Sequence, residues 1–196
     1  TPAPCGKTPL TANELSKSYG STEVFTDVDL AIDKGSRVVI LGLNGAGKTT
    51  LARLVIKRLQ ESGHPCVIID GSEARDLFEN KLGFDPDSRR KQTGRIKNLA
   101  LWAIGQNIIP VVALIHPFED DRVRCRGEID GYYEVYLKCA LDECIRRDDK
   151  NVYAPAMEGR GKFVVGLDIP YDEPLDVELV LESDRHAPEE LLEVLW

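Results

Sequence analysis

The run Gly42-Leu43-Asn44-Gly45-Ala46-Gly47-Lys48-Thr49 satisfies the pattern G-x-x-x-x-G-K-S/T at every position. Small residues at these spacings let consecutive backbone N–H groups turn inward around phosphate oxygens, at a helix N-terminus that already favours anions. The chemistry expected here is the binding of ATP by Gly42, Asn44, Gly45, Ala46, Gly47, Lys48, Thr49 and Thr50. Lys48 is placed to bridge the β- and γ-phosphates, and the Thr49 hydroxyl to ligate Mg²⁺. Asp70, after the apolar run Val67-Ile68-Ile69, is a second metal candidate and a candidate proton acceptor. Read locally, it could equally cap the segment that follows it.

These residues need a scaffold that brings them to one place, and the chain predicts one. Val38-Val39-Ile40-Leu41 is a short β-branched run of the type a buried parallel strand requires. Leu51, Leu54, Val55 and Leu59 recur at helical spacing, which predicts a helix over residues 48–60 that stops at Gly63. Further strands are expected at residues 67–69, 108–115, 132–137 and 177–181. A long helix ends near Gly105, another runs through Leu141, Cys144 and Ile145, and residues 188–196 form a closing helix with Pro188 at its start. Strand–helix alternation of this sort implies an α/β fold: a P-loop NTPase three-layer sandwich with a parallel, five-stranded sheet. Ligands of such sheets bind at the carboxyl ends of the strands. Ahead of this body, residues 24–33 alternate apolar and polar side chains, predicting an N-terminal β extension before a turn at Lys34-Gly35. Residues 1–10, with three prolines and a glycine, read as irregular.

The formal net charge of −8 argues against broad nucleic-acid binding, which needs a basic face, but leaves room for a small anionic substrate in a local positive pocket. No apolar run approaches the roughly 20 residues of a membrane span, and the opening residues do not read as a signal peptide. The five cysteines form no C-x-x-C pair or zinc-like spacing. Together these predict a cytoplasmic protein with reduced thiols and no membrane partner.

Two resemblances divide the chain. Residues from about 10 to 51, with Leu15-Ser16-Lys17-Ser18-Tyr19-Gly20 and the apolar alternation after it, resemble the opening of an ABC-type ATPase, in which an aromatic at Tyr19 would stack on adenine, and this makes residues 1–35 an ABC-ATPase-like extension. No L-S-G-G-Q signature follows. Residues 36–196 instead resemble an adenylylsulfate kinase domain. The matching pieces are Ile69-Asp70-Gly71, Arg75, Leu82-Gly83-Phe84, Arg89, Ile115-His116-Pro117-Phe118, Asp121-Arg122, Arg147-Asp148, Lys150, Phe163 and Gly166-Leu167-Asp168-Ile169-Pro170. The two meet at the shared P-loop, which reads as a fusion or chimera.

The kinase resemblance implies transfer of the γ-phosphate of MgATP to the 3′-hydroxyl of adenylyl sulfate, and a homodimer. Residue by residue, it implies catalytic roles for Lys48, Asp70 and Lys150, and contact of Arg147 with the ATP base. Arg75, Phe84, Arg89, Gln92, Ile115, His116 and Phe163 would hold the small nucleotide acceptor, with Phe84 and Phe163 sandwiching its base. Residues 149–165 would form a lid. The chain departs from the family where Asp70-Gly71-Ser72-Glu73 replaces Asp-Gly-Asp-Asn, and where Gln92 and His116 replace an asparagine and a serine. Ser72 removes a carboxylate near the metal, which predicts reduced activity. These departures leave two alternatives beside the main reading. One is the cytidine diphosphoramidate kinase of capsule modification, a relative of the same family. The other is an ATP-binding fusion with little turnover.

Overall fold

The computed structural model describes residues 12–19, 22–30 and 37–196. Strands β1 (Ala12–Tyr19) and β2 (Thr22–Leu30) pair antiparallel as a two-stranded sheet, the extension expected from the alternation of residues 24–33. The side chain of Tyr19, the turn at Lys34-Gly35, Cys5 and residues 1–10 lie outside what is described.

The body is a five-stranded sheet of β3 (Arg37–Leu41), β4 (Cys66–Asp70), β5 (Ile109–Leu114), β6 (Tyr132–Lys138) and β7 (Leu179–Glu182). Their order is β4-β5-β3-β6-β7, and every neighbouring pair is parallel. Because successive strand residues point to opposite faces, the near-continuous apolar runs serve two cores at once. Val38, Ile40, Val111, Val135 and Leu137 face a core closed by α1 (Lys48–Glu61) and α6 (Pro188–Leu195). Val39, Val112 and Leu114 face a second core, closed by α2 (Pro86–Gly105) and α3 (Glu119–Glu128). The result is the expected three-layer sandwich. The last strand sits two residues later than expected at its start, at Leu179 rather than residue 177.

Three elements were not expected from periodicity. Helix α3 buries Asp121, Arg122 and Cys125, a mostly polar face that satisfies its charges by pairing and so shows no apolar stripe. Residues Glu73–Arg75 form a single 3₁₀ turn, and α5 (Tyr153–Met157) is a short helix within the lid, containing Pro155. Between β6 and the lid lies α4 (Leu141–Arg146), whose Cys144 is fully buried.

Chain reversal after β3 brings the P-loop against the β6–α4 junction with no room for a side chain. A Cβ added at Gly42 would meet the Leu137 carbonyl oxygen at 2.6 Å, and one at Gly45 would meet that of Cys144 at 2.6 Å. Gly45 also has φ +81°, the left-handed region. Gly63, at φ +78°, shares that conformation but has open space where its Cβ would stand. Gly63→Ala should therefore cost only the conformational penalty, about 1–2 kcal/mol. Gly45→Ala should lower the melting temperature by several degrees more, because backbone must move as well. Calorimetry on the two variants checks this, and equal losses would mean the close approach carries no energy.

Candidate active site

At the carboxyl ends of β3, β4 and β5 a single cleft of about 1170 Å³ opens. Its walls include Asn44 to Thr50 of the P-loop, Asp70, Arg75, Phe84, Arg89, Gln92, Ile115, His116, Arg147, Lys150 and Phe163. Of the residues assigned ATP-binding, acceptor or catalytic roles in the kinase reading, Gly42 alone does not line it. That glycine lies behind the loop, where its lack of a side chain permits the contact with β6 described above.

The nucleotide end is built by helix α1. Gly47 occupies its N-cap at φ +90°. The free amides of the first turn therefore face the cleft, where a phosphate would meet both hydrogen-bond donors and the positive end of the helix dipole. Lys48 is half-buried, and burial pulls its ammonium down to about 8 against the opposing pull of Cys144 and Asp70. Its Nζ donates to the Leu43 carbonyl at 2.6 Å, which tucks the side chain across the loop it would serve.

Asp70 stands opposite. Thr49 Oγ1 donates to its Oδ2 at 2.5 Å, while its Oδ1 accepts from the Ser72 hydroxyl at 2.5 Å and from the Ser72 and Glu73 amides at 2.8 and 3.3 Å. Burial pushes this carboxyl up, but the hydrogen bonds from Ser72, Thr49 and Glu73 outweigh it and hold the group below the usual carboxylate range. Asp70 thus accepts from the amides that open the 3₁₀ turn and faces the P-loop at once. The hydroxyl of Thr49 and the carboxylate of Asp70 are hard oxygen donors of the kind Mg²⁺ takes. Among the described residues no group of three or more His, Cys, Asp or Glu side chains could hold a metal. A cation here would therefore be held by these two residues together with substrate oxygens, the usual pattern for Mg²⁺.

At the other end two exposed aromatics, Phe84 and Phe163, line the cleft. Arg89, buried between them, donates from Nε to the Phe84 carbonyl and from Nη2 to the Phe163 carbonyl, both at 2.7 Å. Burial and the nearby charge of Arg75 pull its guanidinium down to about 10, which leaves it charged at neutral pH. Two of its donors are thus committed to backbone carbonyls, one at each of the two aromatics. Arg75 donates to the carbonyls of Leu82 and Gly83 and lies 4.4 Å from the Phe84 ring centroid. Phe163 has φ +65°, and Asp168 holds that backbone by accepting from the amides of Phe163 and Val164.

Gln92 and His116 line the same cleft. Both are buried, and among the described residues neither the amide of Gln92 nor the ring nitrogens of His116 find a partner. His116 stands at φ +48°, fixed by Arg122, which donates to its carbonyl at 2.8 Å and to that of Asp172 at 2.7 Å. The lid is rooted by Asp148, which accepts from the amides of Val152 and Tyr153, and by Tyr153, whose hydroxyl donates to the Asn44 carbonyl at 3.1 Å. Arg147 donates to the Ser183 carbonyl, and Ser183, His186, Ala187 and Pro188 complete the nucleotide end of the cleft. Sequence reasoning missed these last four. The one signal for them is their place just after β7, at the strand ends where ligands of such sheets bind.

A family model described as adenylylsulphate kinase matches residues 34–182. The chain is 37% identical over 158 residues to a protein named probable adenylyl-sulfate kinase from Bacillus subtilis, covering 80% of each. A structure of the Mycobacterium tuberculosis APS kinase in complex with AMPPNP and APS matches with a TM-score of 0.75 and 31% identity, over 82% of this chain and 95% of that one. A hexameric APS kinase from Thiobacillus denitrificans matches with a TM-score of 0.60 and 25% identity, over 83% of this chain and 29% of that one.

Burial, followed by the charges of Arg122 and Arg124, pulls the His116 imidazole down to about 3 from its ordinary 6.5. Between those values the unfolded chain binds a proton that the folded chain refuses, so stability falls as pH falls through that window. His116→Asn keeps a residue that tolerates the left-handed backbone and removes the titrating ring. The melting temperature of the wild-type chain should drop more steeply than that of the variant between pH 6.5 and 4. Thermal melts across that range check it, and parallel slopes would clear His116 of any part in acid sensitivity.

Proposed function

The chain belongs to the adenylylsulphate kinase family, and we propose that it transfers the γ-phosphate of MgATP to the 3′-hydroxyl of adenylyl sulfate. The observation that carries this reading is one cleft lined together by the P-loop, the hydrogen-bonded Thr49–Asp70 pair, Phe84, Phe163 and Lys150. The Mycobacterium tuberculosis relative, whose structure is described with AMPPNP and APS, supports a place for both nucleotides.

Bound MgATP supplies the transferable phosphoryl group. The chain's own work is to position it and to neutralise the charge that spreads over it, since phosphoryl transfer asks for little covalent help. The P-loop amides and Lys48 hold the phosphates, and Thr49 and Asp70 hold the cation. Phe84 and Phe163 orient the acceptor by stacking on its base, which Arg89 permits by fixing both backbones. Asp70 is kept ionised below the usual range and is therefore a weak proton acceptor; charge and orientation are its main contributions. Lys150 brings a further positive charge from the lid to the transferring group. The same reading takes residues 1–35 as an extension, residues 36–196 as the kinase domain, and the protein as a cytoplasmic self-associating enzyme. A family match that begins at residue 34 supports the division of the chain, and the hexameric relative supports self-association.

The direct test is Mg²⁺-dependent ADP production from ATP with adenylyl sulfate, with cytidine diphosphoramidate and with no acceptor. Stimulation by adenylyl sulfate is expected; stimulation by the cytidine nucleotide alone, or by neither, would overturn the assignment. Lys48→Ala should lower kcat by roughly 100- to 1000-fold, the scale of losing one preorganised charge contact. Phe163→Ala should raise the acceptor KM about 10-fold, with the ATP KM within two-fold, as expected for a lost stacking partner. Steady-state kinetics with each substrate varied in turn separate the two effects.

A further inference from the structure

Between the lid and the end of β4, four polar side chains form one line. Lys150 Nζ donates to Ser72 Oγ at 2.9 Å, Ser72 Oγ donates to Asp70 Oδ1 at 2.5 Å, and Thr49 Oγ1 donates to Asp70 Oδ2 at 2.5 Å. The four residues come from the start of α1, the end of β4 and the lid, so no single element imposes the alignment. A hydroxyl has one hydrogen and two lone pairs. In Ser72 the hydrogen is directed to Asp70, which leaves the lone pairs to receive the ammonium of Lys150.

Capping alone does not account for this hydroxyl. Asp70 Oδ1 already accepts from the amides of Ser72 and Glu73, which caps the opening of residues Glu73–Arg75 without it. What the hydroxyl adds is the link to the lid. We propose that Ser72 is a positioning residue for phosphoryl transfer, whose hydroxyl docks the lid lysine Lys150 onto the cation-side carboxylate Asp70. The inference rests on the reaction proposed above and refines it at a residue that a sequence comparison counts as a loss. A hydroxyl also suits the position chemically. A carboxylate at residue 72 would pair with Lys150 and offset its charge, and would crowd Asp70 with a second negative group. A neutral acceptor holds the ammonium in place and leaves its charge for the transferring phosphoryl group.

Ser72 is exposed at the rim of the cleft, so substitutions there should leave the fold intact, with melting temperatures close to wild type. Ser72→Ala should lower kcat about 10-fold, the scale of one charge-assisted hydrogen bond, while the KM values for ATP and adenylyl sulfate stay within two-fold. Ser72→Thr, which keeps the hydroxyl, should retain at least half of kcat. In a Lys150→Ala background, Ser72→Ala should cost less than a further two-fold, because the two residues act as a unit. Three results would each overturn the proposal: wild-type kcat in Ser72→Ala, an undiminished penalty in the Lys150→Ala background, or Ser72→Asp turning over faster than wild type.

A second readout does not depend on turnover. With MgATP present, trypsin should cut after Arg160 or Lys162 in the lid several-fold faster in Ser72→Ala than in wild type, and unchanged cutting would count against docking. If the wild-type chain fails to phosphorylate adenylyl sulfate, the proposed reaction fails. Proteolysis then decides the docking contact by itself.

Discussion

The carboxylate of Asp70 is the point on which the site depends. It ends the strand β4, accepts hydrogen bonds on both oxygens, and through them reaches the first turn of α1, its own following turn and the lid. A buried carboxyl left to itself would take up a proton, since burial disfavours the charged form. Here the donors that surround it reverse that tendency, so the group stays ionised where a divalent cation needs it. The same donors orient the carboxylate. Parallel pairing of β4 with β5, and of β5 with β3, fixes how far that strand end stands from the P-loop. Sheet register is thereby translated into the geometry of the Thr49–Asp70 pair.

The acceptor end follows a different plan. Its aromatic walls come from segments 79 positions apart in the chain, Phe84 before α2 and Phe163 in the lid, and neither backbone is held by a strand. The buried guanidinium of Arg89 is what joins them. Behind this wall, Arg122 joins the loop after β5 to the loop carrying Asp172 and lies 3.7 Å from the buried Glu134 of β6. Removing one member of such a network leaves another charge buried without its partner, which is costly. The nucleotide end is therefore shaped by backbone packing, and the acceptor end by charged side chains reaching backbone carbonyls.

That difference explains what could be read from sequence. The P-loop, its strand and its helix are local patterns, and the strand, the helix and the cleft-lining stretch Asn44 to Thr50 lie where spacing alone puts them. The two cores followed from alternation in β-branched runs. Helix α3 escaped notice because its buried face carries Asp121 and Arg122, and polar burial depends on partners that periodicity does not report. Arg89 was legible as a site residue but not as the tie between two carbonyls, because one of them belongs to a residue 74 positions later. In the same way, Ser72 read as a missing carboxylate until Lys150, 78 positions away, stood beside it.

His116 has a consequence for how this cleft can change over generations. Its φ of +48° is tolerated by glycine, asparagine, aspartate and histidine far better than by branched or bulky residues. Arg122 holds the His116 carbonyl, so the turn cannot easily relax to admit other side chains. Drift at this corner is therefore weighted towards small or polar residues, and the serine that the family resemblance places here is one of them. An apolar lining cannot arise there by single substitutions without first remaking the loop.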